Sequence, residues 1–321
     1  MIHTKLSILS ILLASIFSFD FTFNDLPIQE DGRIKPLDTY ARNQLLRFYG
    51  KTIFKEEDGS KISAIAWMKE LFINTENEIK KPIFNIRNPE VSYSLGLEKN
   101  ENHKYSFIDI INGFQKNQEL LESLNSNQDE NQTLVEKQII EIYQNVILFD
   151  EISHSLYCFL PVVSVENKVI LEYLDIKQSK VSYSFFMRNI DKFKILLQDL
   201  LETEEENWNE SHMELSRIAM HLQNLTQYHY AQKLKIIPPF DNVSNNKWLS
   251  PWELMDGRPL NEYHNKILIT YENLILALID RDQEKVRRES NNIISILESY
   301  DDSFNSHLLS KETSYNNKNI F

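Results

Sequence analysis

Only 6 glycines and 9 prolines occur in this chain of 321 residues, so it has few places at which to turn sharply. Gly reaches positive φ without steric cost, and Pro interrupts a helix. Sandwiches and barrels need frequent tight turns, so this scarcity, with abundant Leu, Glu and Lys, directs the chain toward long helices. Apolar spacing agrees. Leu37, Ala41, Leu45 and Phe48 form one stripe, and Ile65, Trp67, Met68, Leu71 and Phe72 a second. Leu134–Leu160 predicts the longest helix, stopped by Pro161. Further helices are predicted over 90–96, 105–114 (entered at Ser106), 184–203 and 210–234. An antiparallel pair, 263–279 and 284–300, is expected across Asp280-Arg281-Asp282. Extended chain is expected only near 81–88 or 162–171, and 51–60 and 241–259 read as connectors. The fold class expected is therefore mostly α: a multi-helix, bundle-like domain over 20–310 with at most a small extended or two-stranded element and a sub-boundary near 115–132.

The densest stretch runs from Leu26 to Arg42. Asp31-Gly32 is a turn dipeptide, and Lys35-Pro36 holds residue 35 extended, with Pro36 suited to the first helical position. Asp38 falls in the first helical turn, where a carboxylate suits the helix dipole, and Gly50 stops the helix. Arg33, Lys35 and Arg42 gather here in a chain whose formal net charge is −13. Two readings stand. The cations form a positive patch that docks a carboxylate-bearing partner or haem propionates. Alternatively Asp38 and Arg42, spaced i, i+4, pair on the helix, Lys35 is solvated and Arg33 braces the turn.

The negative charge disfavours nucleic acid, whose phosphates would be repelled. Residues 1–19 have a weakly basic start and an apolar run of the length of a secretory h-region, read as a signal peptide or an N-terminal anchor. The body is therefore expected outside the cytoplasm. The single cysteine, Cys158, excludes an intramolecular disulfide and, set in Leu-Tyr-Cys-Phe-Leu, reads as a buried small hydrophobe. No Gly-x-Ser-x-Gly, phosphate loop, HExxH or Cys-x-x-Cys-His occurs. His212, His221 and His229 lack the i, i+4 spacing of paired metal ligands on a helix. No catalytic or metal-binding residue is assigned, and His154 and His221 read as surface or satisfied core histidines rather than haem ligands.

Leu26, Pro27, Gln29, Gly32, Arg33, Lys35, Pro36, Asp38, Thr39, Ala41 and Arg42, in this order, resemble the segment that opens the extracytoplasmic region of system II cytochrome c biogenesis proteins of the CcsA/ResC type. Ile237-Pro-Pro followed by Trp248-Leu-Ser-Pro251-Trp252 is similar to a later part of that region. Glu312, Tyr315 and Asn316, in the polar tail 311–321, resemble its lead-in to membrane helices. The resemblance implies partner- or ligand-binding roles for Gly32, Arg33, Lys35, Pro36, Asp38, Thr39 and Arg42, with Trp248, Pro251 and Trp252 as a second band. The family's haem-handling membrane part has no counterpart in this sequence, so the chain reads as a split-off partner or a truncated product. The function implied is a non-enzymatic accessory module in c-type cytochrome biogenesis at the periplasmic face of the cytoplasmic membrane. Its partners would be a membrane haem-transfer protein and apocytochrome c. Haem would reach it only through the partner, and this chain would hold no cofactor itself. The alternatives are an unrelated periplasmic binding or scaffold protein and, third, an enzyme.

Overall fold

The computed structural model describes residues 20–117, 132–239, 247–257, 259–300 and 304–318. The expected leader 1–19, most of the sub-boundary at 115–132 and part of the 241–259 connector lie outside the described residues.

The fold is mostly α, with four separate two-stranded antiparallel sheets among the described residues. Strands β1 (Pro27–Glu30) and β2 (Arg33–Pro36) form a hairpin that feeds α1 (Leu37–Tyr49). A second hairpin, β3 (Ile53–Lys55) with β4 (Lys61–Ser63), leads into α2 (Ala64–Ile73) and the one-turn α3 (Thr75–Glu78). Strand β5 (Phe84–Asn85) is followed by α4 (Pro89–Ser94), pairs with β6 (Lys104–Tyr105), and gives way to α5 (Phe107–Lys116). The longest described helix is α6 (Leu134–His154). Strand β7 (Val163–Ser164), α7 (Lys168–Leu174) and β8 (Lys180–Val181) precede α8 (Tyr183–Arg188), α9 (Ile190–Glu202) and α10 (Glu210–Leu225). The C-terminal part holds α11 (Pro251–Met255), α12 (Glu262–Ile279), α13 (Gln283–Tyr300) and α14 (Ser306–Asn317).

Local chemistry explains most helix starts. Ser63 Oγ accepts from Ala66 N at 3.3 Å, and Ser106 and Thr133 form capping boxes with Asp109 and Glu136. Gly50, at φ 78°, ends α1 as expected. Other expectations need correction. Pro36 is the N-cap of α1 rather than its first helical residue. The connector 51–60 contains most of a hairpin, turned at Gly59 (φ 88°). Residues 169–171 are helical because Asn167 caps α7, and β7 pairs with residues 180–181 instead. The helix expected over 184–203 breaks at Asn189, whose Nδ2 donates to Phe185 O at 2.9 Å and competes with the backbone ladder. The helix expected to 234 becomes a 3₁₀ segment at Thr226–Tyr230, and that expected to 160 stops at His154. The tail residues 311–317 are helical, within α14.

One hydrophobic cluster extends from Phe23 to Leu297. Phe48 lies at its centre, with ring centroids of Phe84 and Phe149 5.6 Å away and Trp67 at 6.4 Å, within the range of favourable offset and edge contacts. Cys158 is fully buried, and burial pushes its thiol pKa up, as for an inert core residue. Among the described residues no helix is long and apolar enough to cross a membrane.

Candidate functional site

Asp31 and Gly32 take φ of 53° and 75°, the pair of positive values that a two-residue hairpin turn of right-handed twist requires. The register follows from Pro27↔Pro36 to Glu30↔Arg33. This places Lys35 inside, 8% exposed, with Nζ 2.6 Å from Glu30 Oε2. Gln44 Nε2 donates to Glu30 Oε1 at 3.0 Å, so one carboxylate joins β1, β2 and α1. Beside it the buried Tyr40 phenol is pushed to high pKa, by burial first and by the Glu30 charge second.

Asp38, 1% exposed in the first turn of α1, accepts from Arg42 Nε at 2.8 Å and from Asn316 Nδ2 at 3.0 Å. Thr39 Oγ1 donates to Glu312 Oε1 at 2.7 Å and accepts from Asn316 Nδ2 at 2.8 Å. Arg33 pairs with the other oxygen of Glu312, and Arg42 Nη2 reaches Asn317 Oδ1 at 3.2 Å. Successive turns of α14 therefore fasten onto the hairpin and the start of α1. Leu309 and Thr313 bury beneath this polar layer, and Leu309 meets Phe21 and Ile294 in a small satellite core.

The second motif band is joined to the same hairpin. Gln29 N donates to Lys235 O at 2.9 Å, and Gln29 Oε1 accepts from Trp248 N at 2.8 Å. Leu249 and Ile237 exchange backbone bonds of 2.7 and 3.0 Å. Ser250 then caps α11 with Pro251 at its first position, and Glu253 returns to the Ser250 N–H while pairing with Lys235. Trp252 is fully buried, and its Nε1 donates to the His154 carbonyl at 3.0 Å where α6 ends.

The residues that carry the family resemblance lie in or beside this assembly, but the free cationic patch is corrected. Arg33, Lys35 and Arg42 each have an internal partner; Lys35 is buried rather than solvated, and Trp248 and Trp252 are buried too. Of the two readings of the charges, the Asp38–Arg42 pair is the one present. Sequence reasoning missed Glu30 as the partner of Lys35 and Glu312 as the shared acceptor of Arg33 and Thr39. The i, i+5 separation of Glu30 and Lys35 across a turn was a usable signal. Nothing local marks Glu312.

The histidines fall elsewhere. His154 Nδ1 lies 3.2 Å from Asp150 Oδ1 and its ring stacks on Tyr228 at 4.6 Å. His212 Nε2 faces Asp199 Oδ2 at 3.0 Å, and His229 sits beyond α10, against Trp252 and Tyr183. Among the described residues no group of three or more His, Cys, Asp or Glu side chains is arranged to hold a metal ion. With the geometry in place, comparison with known proteins adds no class: no protein-family description matches the chain, and no curated protein matches its sequence.

Proposed function

We propose that this chain is a non-enzymatic accessory module of c-type cytochrome biogenesis. In this reading it acts on the extracytoplasmic side of the cytoplasmic membrane, beside a membrane haem-transfer protein, with apocytochrome c as a further partner. The observation that carries the reading is spatial. Of the three stretches that resemble the family, at 26–42, 237–252 and 312–316, the first bonds directly to each of the other two, far away in sequence. Their joint occurrence is explained if they make one clasp centred on 26–42, whose polar groups are satisfied by the other two stretches. Phe21 packs with Leu309 of α14 while Asp20 pairs with Arg287 of α13, so the start of the described domain lies against its last two helices, as tethering to one membrane surface favours. Docking then belongs to the surface the clasp shapes rather than to its cations, and haem enters through the partner. The test is to purify the tagged full chain from membranes, identify what accompanies it and record haem absorbance. A multi-span membrane protein with a haem spectrum is expected. Recovery of only unrelated partners, with no haem absorbance, would defeat the assignment.

A further inference from the structure

Away from the clasp, a groove of about 440 Å³ opens between the end of α1, β5, α4 and the outer face of α6. Phe48, Phe84, Ile86 and Val91 are buried residues that form its floor, and Arg47 and Arg87 stand on its rim. Nine arginines are described, and seven of them have a carboxylate within 4 Å. The two without one are Arg47 and Arg87, and both line this groove. Arg47 is held in place by Asn145 Oδ1, 2.5 Å from its Nε, which leaves its terminal nitrogens for another acceptor.

Positive charge is crowded around this groove. The ammonium of nearby Lys104 lies over the Tyr49 ring, 3.7 Å from its centroid, and donates to the Tyr49 carbonyl at the end of α1. Burial, and then the charges of Arg87 and Lys51, push its pKa down to about 8. Glu141 is the one acid among the described lining residues and pairs with neither arginine. In a chain of net charge −13, an unneutralised cationic rim over an apolar floor is a local reversal of sign that attracts anions. The volume falls in the range, roughly 300–1,000 Å³, of small-molecule sites.

We infer that this groove binds a small organic anion, with Arg47 and Arg87 taking its carboxylate or phosphate and the Phe48–Phe84 floor taking an apolar body. Guanidinium groups suit both anions because their planar fork matches paired oxygens. The site stands on this groove alone and is independent of any role in cytochrome assembly.

Titration calorimetry on the full chain tests it, with phenyl phosphate and benzoate as probes, inorganic phosphate as an anion without an apolar body, and benzyl alcohol as a neutral analogue. At least one of the two aryl anions is expected to bind with Kd of about 1 mM or tighter, more weakly as salt is added. Arg87→Ala, at an exposed side chain with no ion pair to lose, is expected to fold normally and weaken that binding about tenfold. The Arg47→Ala/Arg87→Ala double variant, its fold checked by circular dichroism, should abolish it. No binding of either aryl anion, binding unchanged in the double variant, or equally tight binding of benzyl alcohol would each overturn the site. Inorganic phosphate binding as tightly as phenyl phosphate would overturn the apolar half of the assignment.

Discussion

Asp38 is held by groups on both sides of a gap of nearly three hundred residues, Arg42 one turn away and Asn316 on α14. Replacing it with Ala leaves Arg42 without its carboxylate in a half-buried position, so Asp38→Ala should lower unfolding free energy by about 2–3 kcal/mol. Urea unfolding checks this as a lower midpoint at unchanged slope, and a shift within error would mean that the pair contributes nothing. Lys104 makes the opposite kind of residue-level statement, because its surroundings disfavour its charge. Its pKa falls from the usual 10.5 to about 8 in the fold, so between these values the unfolded chain binds the extra proton. Stability from this residue therefore rises with pH across that window, and the full charging penalty is felt below it. Comparing unfolding free energies at pH 7 and 10 tests the sign. The wild type should gain on Lys104→Met as pH rises, and a flat or reversed difference would contradict it.

Among the elements, α5 depends on a missing side chain. A Cβ on Gly113 would stand 2.5 Å from the Leu95 carbonyl oxygen and 3.3 Å from Leu97 Cδ2. The obstacle is backbone, so a rotamer change cannot relieve it. Gly113→Ala should destabilise by about 1–2 kcal/mol net, as overpacking outweighs the gain in helix propensity of about 1 kcal/mol; a variant that melts at or above the wild-type temperature would refute this close approach. The helix start at Ser106 was legible because a cap acts within three residues, and Ser63 and Thr133 carry the same local signal without having been read. The end of α6 at His154, the break at Asn189 and the loss of helix after Leu225 were not all equally hidden. Asn189 carries a local signal, the side chain that competes for the ladder. At His154 the fold intervenes, with Trp252 Nε1 taking the last carbonyl, and beyond Leu225 the chain is drawn out to meet β1 and Leu249.

For the whole molecule, α14 stands outside an otherwise continuous core. The main hydrophobic cluster reaches Leu297 without it, and α14 buries Ser306, Leu309 and Thr313 only. Ending the chain after Asn305 should therefore leave cooperative unfolding and the helical spectrum largely intact, while costing about 2–4 kcal/mol from one buried Leu and the lost polar bonds. Loss of most helicity in circular dichroism would show instead that the clasp is needed for the core to form. A truncation with no effect would show that it is not a fastening at all.

The helical class, the Asp31-Gly32 turn, the stop of α1 at Gly50 and the α12–α13 pair are written in the sequence, since periodicity, caps and turns act over a few residues, whereas the pairing of β1 with β2 around that turn was not read there. The second hairpin, the partners of Arg33 and Lys35, the meeting of Gln29 with Trp248 and the isolation of Arg47 and Arg87 were decided by tertiary packing. A side chain's counter-charge comes from whichever element the apolar faces bring alongside it, and no local pattern within the chain specifies that neighbour.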